Sequence, residues 1–451
     1  MKFLIFTPTI RRSAIGRMAS LVVRELVAQG HDVTVVRTEA TGMLTLPTHE
    51  FGVPLIAWNE FEYVLQAAAS ADICVYQIGN SYEFHEGCLH WMPMAPGIVC
   101  LHDFFLGHLF YGWAQLHLPE AKAVLKRWYG DTIASRFFAY TNGDAFILGT
   151  CEESPMTEWI CSMALGVVTH SSWGCDRVLK ACPGPVSVTA LPYDAPAAHV
   201  ESRPFHRDTM RIQLLTIGHV NPNKRIESVI KAIGSNPALR NSITYKLVGH
   251  VQPEMVLSLS RMARGYGVNL VIAGEIDDTA LAQAISESDV ISCLRWPTLE
   301  AASASAIEAM LYGKTVICTD AGFYSEIPDE YVLKVSVENE IDDISSHLTV
   351  LIRDREKISV IGEKAKLWAV DMFSAVAYAQ SLTGMVRRAL AAKPIIDACH
   401  SISEIAGRWS ATNAGLLHQA DLRPLAIFAG HPMAEVASAT VASLGSGYVV
   451  S

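Results

Sequence analysis

Short, nearly unbroken apolar runs alternate along this chain with longer stretches whose apolar positions recur at the spacing of one helix face. Lys2 to Thr7 reads as a buried strand and Met18 to Gln29 as a helix, after which Gly30-His-Asp turns into a strand from Val33 to Val36. Strand, helix and strand in that order form the crossover unit of a parallel sheet, and runs apolar at every position suit strands covered on both faces. Ile73 to Gln77, Ile98 to Leu101 and Gly166 to His170 continue the pattern, each ending at polar or glycine residues.

A second series begins with strand Ile212 to Ile217, helix Ile226 to Ile233 and strand Tyr245 to Val248. It runs on through helix Glu254 to Tyr266, strand Asn269 to Ala273, helix Thr279 to Ser286 and strand Asp289 to Leu294. Pro183-Gly-Pro185 and the stretch Pro192 to Pro204 are rich in proline and small residues, and the latter reads as an interdomain linker. The expected division is 1–195, a linker at 196–210, a second domain at 211–370, and C-terminal helices with an extension at 371–451. The architecture that follows is two doubly wound α/β domains facing one another across a cleft. Gly445-Ser-Gly-Tyr-Val-Val-Ser reads as a fraying end.

With 451 residues, half of them hydrophobic and 18% charged, the chain suits two domains with buried sheets rather than disorder. A net charge of −10 argues against a nucleic-acid partner. The first apolar run is too short for a signal peptide and meets Arg11-Arg12 at once, and no stretch nears the ~20 apolar residues of a membrane span. Ten cysteines occur singly, without a C-x-x-C pair, as expected for small buried hydrophobes in a reducing cytoplasm.

Chemistry concentrates in Leu294-Arg-Trp-Pro-Thr-Leu-Glu300-Ala-Ala-Ser-Ala-Ser-Ala-Ile-Glu308-Ala-Met-Leu-Tyr-Gly313. A strand breaks at Pro297 and an alanine-rich helix follows, whose start offers unpaired N–H groups and a positive dipole end to a diphosphate. Residues Ala301 to Ala306 are all Ala or Ser, so a ligand could approach the backbone closely. Eight residues of helix span about 12 Å, enough for one acid to reach a sugar and the other a ribose. Taken alone, the layout fits equally well a buried amphipathic helix with a solvated glutamate at each end.

Residues 210–335 resemble the C-terminal domain of the retaining GT-B glycosyltransferases of glycosyltransferase family 4. Glu300-x7-Glu308 matches that family's E-x7-E motif, and Gly313-Lys-Thr-Val-Ile-Cys-Thr-Asp320-Ala-Gly-Phe-Tyr-Ser-Glu326 matches its next strand and Gly-x-x-x-Glu turn. Leu214-Leu-Thr-Ile-Gly218-His-Val-Asn-Pro-Asn-Lys224-Arg225 resembles the strand and loop that carry its diphosphate-binding residues. His219 stands where the family usually has Arg, and Ser303 where it usually has Gly.

The resemblance implies a GT-B fold whose last helices cross back to the N-terminal domain. It implies retaining transfer of a hexose from a UDP- or GDP-sugar to a glycan or lipid-linked acceptor, without a metal or other cofactor. By the same resemblance Lys224 is the catalytic lysine, Glu300 contacts the sugar ring, Glu308 grips the ribose, and the N–H groups of Ala304 and Ser305 face the diphosphate. Gly218 and Arg225 belong to the same loop, Arg225 standing where many members have Gly. His102 resembles the histidine that contacts the transferred sugar, and Ser13-Ala-Ile-Gly16 the glycine-bearing loop near donor and acceptor.

Each residue also has a plainer reading. Lys224-Arg225 could be a solvated loop, and His102-Asp103 a strand end followed by a helix start. Arg295 and Trp296 could line the nucleotide pocket, with packing an equal role for Trp296. Gln77-Ile-Gly79-Asn80, His85 and His90 could shape the acceptor cleft, and the five-residue spacing of the histidines does not suit a helical metal pair. Lys122, Lys126 and Arg127 beside Trp128 and Tyr129 could dock on anionic lipid, or form a solvated helix face. Rival functions are a nucleotide-sugar epimerase or phosphorylase on the same fold, and a non-catalytic GT-B-like binding subunit. A nicotinamide dehydrogenase would need a G-x-G-x-x-G fingerprint that the chain lacks.

Overall fold

The computed structural model describes residues 1–195 and 211–408, so the expected linker at 196–210 and the stretch 409–451, with its expected fraying end, lie outside the described residues. In the first half, strands β1 (Lys2–Thr7), β2 (Asp32–Arg37), β3 (Leu55–Ala57), β4 (Ile73–Ile78), β5 (Ile98–Leu101), β6 (Gly166–Thr169) and β7 (Val186–Val188) form one sheet. Its order is β3-β2-β1-β4-β5-β6-β7, with every pairing parallel. In the second half, β8 (Ile212–Ile217), β9 (Ile243–Val248), β10 (Leu270–Gly274), β11 (Val290–Cys293), β12 (Thr315–Thr319) and β13 (Leu333–Val335) follow the order β10-β9-β8-β11-β12-β13.

Both orders reverse direction once, between β1 and β4 and between β8 and β11. Loops beyond the carboxyl ends of strands at such a reversal diverge and leave room for a ligand. The sequence pattern located the central strands because they are mostly apolar: β4, β5, β6, β11 and β12 are buried at every position. Edge strands β3, β7 and β13 are three residues long and partly exposed, and no periodicity marks them.

The first helix runs Ala14–Ala28, four residues earlier than the apolar spacing suggests, because Ser13 caps it through its Oγ, which accepts from Gly16 N at 3.0 Å. The final helix, Ala375–Arg408, carries Pro394 within it and crosses back to the N-terminal domain. Ser381 meets Thr189 there at 2.8 Å, and Thr383 meets His31 at 3.4 Å. A single apolar cluster runs from Phe3 and Val22 through Leu215 and Met310 to Tyr378 and Ile396, so the two halves share a core. Among the described residues no helix is long and apolar enough to cross a membrane.

Candidate active site

The loop after β8 ends in a tight turn, Pro222–Lys224, that buries the Lys224 side chain. Its ammonium donates to the carbonyl of Ile217, at the end of β8. Gly218 makes this possible: it takes φ +84°, and a Cβ there would stand 2.9 Å from the Lys224 nitrogen. Burial and the neighbouring Arg295 push the Lys224 pKa well below its ordinary value, while Glu300 pulls it back.

Arg295 follows β11 and is buried. Its Nη1 donates to Leu294 O at 2.8 Å, its Nη2 to Ser305 Oγ at 3.3 Å, and its Nε lies 3.5 Å from Glu300 Oε1. Burial works against this charge, but Tyr324, Glu300 and Cys293 outweigh it and raise the pKa. Tyr324 hydroxyl donates to the same oxygen of Glu300. Two basic side chains and one acid therefore meet where the helix Ala304–Leu311 begins. Ser303 caps Ala306 N, and the first backbone bond runs from Ile307 N to Ser303 O at 3.1 Å. The N–H groups of Ala304 and Ser305 precede it, as at any helix start.

Three sequence expectations change in this setting. Glu300 is not on the helix: it lies three residues ahead of the Ser303 cap, bridged to Asp103 in an extended pairing. Only Glu308 is helical, so the two acids come from a loop and a helix rather than from one face. Arg225 does not join the cluster; its Nε and Nη2 reach both oxygens of Glu340 at 2.9–3.0 Å. Gly16 lies in the first helical turn rather than in a loop, and its N–H is taken by Ser13. Pro8 O would stand 2.4 Å from a Cβ at this glycine, so packing alone requires it.

The two domains meet through the loop that carries Glu300. Ala301 N donates to His102 O at 2.9 Å, and Phe104 N and Phe105 N donate to Leu299 O at 2.9 and 3.0 Å. Ser171 Oγ donates to Ala301 O at 2.8 Å. Glu326, from the Gly-x-x-x-Glu turn, accepts from Ser172 N and Oγ at 2.8 Å and from Trp173 N at 3.0 Å. His102 is thus placed beside Glu300 by backbone pairing.

On the N-terminal side the titratable groups are three imidazoles and the Asp103 carboxyl. His102 Nε2 donates to Gln77 Oε1 at 2.7 Å, and its ring lies 4.8 Å from that of His170. Burial, then His170 and His85, hold the His102 pKa well below the usual range, and burial takes His170 down to about 4 and His85 down to about 3. His85 accepts from Gly79 N at 3.0 Å. Asp103 is pushed up to about 7 by burial, against the hydrogen bond from Asn80 N and with Glu300 adding to the rise.

His90 packs on Trp58 at 5.2 Å, away from this cluster. Lys122, Lys126 and Arg127 are exposed, with Lys126 paired to Asp131 at 2.9 Å, while Trp128 and Tyr129 pack on the N-terminal core. Among the described residues no group of three or more His, Cys, Asp or Glu could hold a metal ion. The residue that sequence reasoning missed is Arg17, which reaches Glu308; a lone arginine in an amphipathic helix gives no signal of such a role.

Two doubly wound parallel domains that meet through their strand-end loops, with a last helix returning to the first domain, make up the GT-B fold of glycosyltransferases. Residues 200–368 match the family model for glycosyl transferases group 1. Solved structures of the same fold include Anabaena HepE in complex with UDP and glucose, at 16% identity and a TM-score of 0.57, covering 86% of this chain and 99% of that one. Sucrose-phosphate synthase from Thermosynechococcus elongatus is similar at 14% identity and 0.59, covering 87% and 100%. WaaG, a glycosyltransferase involved in lipopolysaccharide biosynthesis, is similar at 15% and 0.56, covering 86% and 99%. No curated protein matches the chain in sequence.

Proposed function

We propose that this protein is a retaining glycosyltransferase of family 4 type. It would move a hexose from a UDP- or GDP-sugar to a glycan or lipid-linked acceptor without a metal, in the cytoplasm. The observation that carries this reading is the meeting of Lys224, Arg295 and Glu300 at the start of the helix Ala304–Leu311, beside the sheet reversal between β8 and β11. As the glycosidic C–O bond breaks, charge builds on the departing diphosphate. Fixed cations and unpaired N–H groups stabilise that charge without reorganising. Arg295 supplies the second cation in a chain where His219 stands in place of the family's arginine.

In this reading Glu300, held by Tyr324 and Arg295, orients the sugar, and Glu308 takes the ribose hydroxyls. His102 stays neutral, so it can hydrogen-bond a sugar hydroxyl without repelling the cationic side. The departing diphosphate accepts the proton of the incoming hydroxyl on the same face of the sugar, so no protein nucleophile is required. The resident partners are a nucleotide sugar and a hydroxylated acceptor.

Thermal shift and calorimetry with UDP, GDP and their hexoses test this directly, with UDP first because HepE is a UDP complex. Binding of one nucleotide, and donor consumption that requires an acceptor, are expected. Binding of neither nucleotide would remove the reading. Donor turnover that proceeds at full rate without any acceptor would replace it with an epimerase.

A further inference from the structure

Arg17 is one turn into the first helix of the N-terminal domain, yet its guanidinium lies against the second domain. Its Nη1 donates to Glu308 Oε1 at 3.1 Å. The group has anchors of its own: Nε and Nη2 reach Asp194 Oδ1 at 3.0 and 2.7 Å, and Nη2 reaches Asp194 O at 2.8 Å. Nη1 also meets the Tyr193 hydroxyl at 3.3 Å, and the guanidinium carbon sits 4.4 Å from the Tyr193 ring centre. The side chains of Arg17 and Glu308 are 19% and 7% exposed, so water screens the pair weakly.

We propose that Arg17 is a positioning residue for the donor site: held by Asp194 and Tyr193, it fixes Glu308 as an ionised acceptor whose Oε2, outside the ion pair, takes a ribose hydroxyl. The inference rests on the glycosyltransferase reading and adds that the donor pocket is completed by the opposite domain. A buried carboxyl without a cation takes up a proton and loses its acceptor strength. Glu308 is already pushed up by burial, and Asp194, from the segment after β7, and Asp278, at the start of the helix Asp278–Glu287, add like charge. Arg17 pulls the other way. Tyr193 faces the same pair from the segment after β7, and His49 lies near Arg17 and Asp278.

The test is calorimetric titration of UDP and GDP into the full chain from about pH 6 to about pH 9, with each variant compared to wild type at the same pH. Arg17→Ala is expected to lose most affinity, about tenfold, at the acid end of this range, because its Glu308 takes up a proton more readily, and to approach wild type as pH rises and the acid ionises. Arg17→Lys should restore most of the affinity at low pH, and Glu308→Gln should be weak throughout. Arg17→Gln keeps the helix side chain long and carries the same test should the alanine variant not fold. Weakening by the same factor at every pH would overturn the inference, leaving Arg17 a structural strut. Tighter binding by Arg17→Ala would also overturn it, since Arg17 would then compete with the nucleotide. Either result with wild-type binding intact leaves the glycosyltransferase reading standing, whereas wild type binding neither nucleotide removes both.

Discussion

The two sides of the domain junction hold their titratable groups in opposite ways. On the C-terminal side Arg295 sits beside Glu300, so paired charge outweighs burial there, while burial and Arg295 together hold the adjoining Lys224 well below its ordinary pKa. On the N-terminal side His85, His102 and His170 are buried with few charged partners, and burial keeps them neutral. A site for a diphosphate needs charge in place before the ligand arrives. A site for sugar hydroxyls needs donors and acceptors, and a cation there would compete for the anionic donor. On the proposed glycosyltransferase reading the contrast would divide the labour between leaving group and sugar, and it can be broken at either side.

The largest effect is expected at Lys224. Lys224→Ala should lower kcat about 100- to 1,000-fold, the range seen when one preorganised charge-stabilising group is lost, while donor KM changes little. Steady-state kinetics at saturating acceptor separate the two. A variant that raised KM and left kcat intact would make Lys224 a ground-state ligand, and the charged side would lose its catalytic meaning.

Glu308→Ala should act the other way. Losing a charged acceptor for a ribose hydroxyl costs about 1.5–3 kcal/mol, so donor affinity should fall roughly ten- to 100-fold with kcat near wild type. Calorimetry on the nucleoside diphosphate alone checks it, because the ribose contact does not need the sugar. Unchanged affinity would move the donor away from the helix Ala304–Leu311.

The charged side was more legible in the sequence than the neutral one, for physical reasons. Mostly apolar central strands, with glycine or proline near their ends, mark a doubly wound sheet and its loops, which puts Lys224 in a strand-end loop, while the family resemblance singles out Glu300 and Glu308. Short edge strands carry no period and stayed hidden. Alanine and serine ahead of Ser303 suggest a helix that reaches Glu300, but the backbone pairing with His102 to Phe105 holds that stretch extended. Such pairing between distant segments leaves no local trace. The same holds for Arg225, which Glu340 captures from 115 positions away, and for Arg17, whose partner Glu308 lies 291 positions along the chain.

The smallest effect concerns stability rather than rate, and it isolates the neutral side. His85 and His170 have folded pKa values near 3 and 4, and His102 is also depressed, against an ordinary value of 6.5. Between pH 6.5 and about 4 the unfolded chain therefore binds protons that the folded chain refuses. Stability from these residues is full above pH 6.5 and falls as pH drops, by about 1.4 kcal/mol per unit for each histidine. Asp103 has the opposite sign: its pKa of about 7 stands above the ordinary 3.8, so its contribution is full below pH 3.8 and is lost as pH rises towards 7. It offsets one histidine across the shared window. Urea unfolding at pH 6.5 and pH 5 should show His170→Gln losing about 2 kcal/mol less than wild type over that interval, and Asp103→Asn about 2 kcal/mol more. Equal slopes in all three proteins would mean that these groups are open to water when folded, and the contrast between the two sides would reduce to composition.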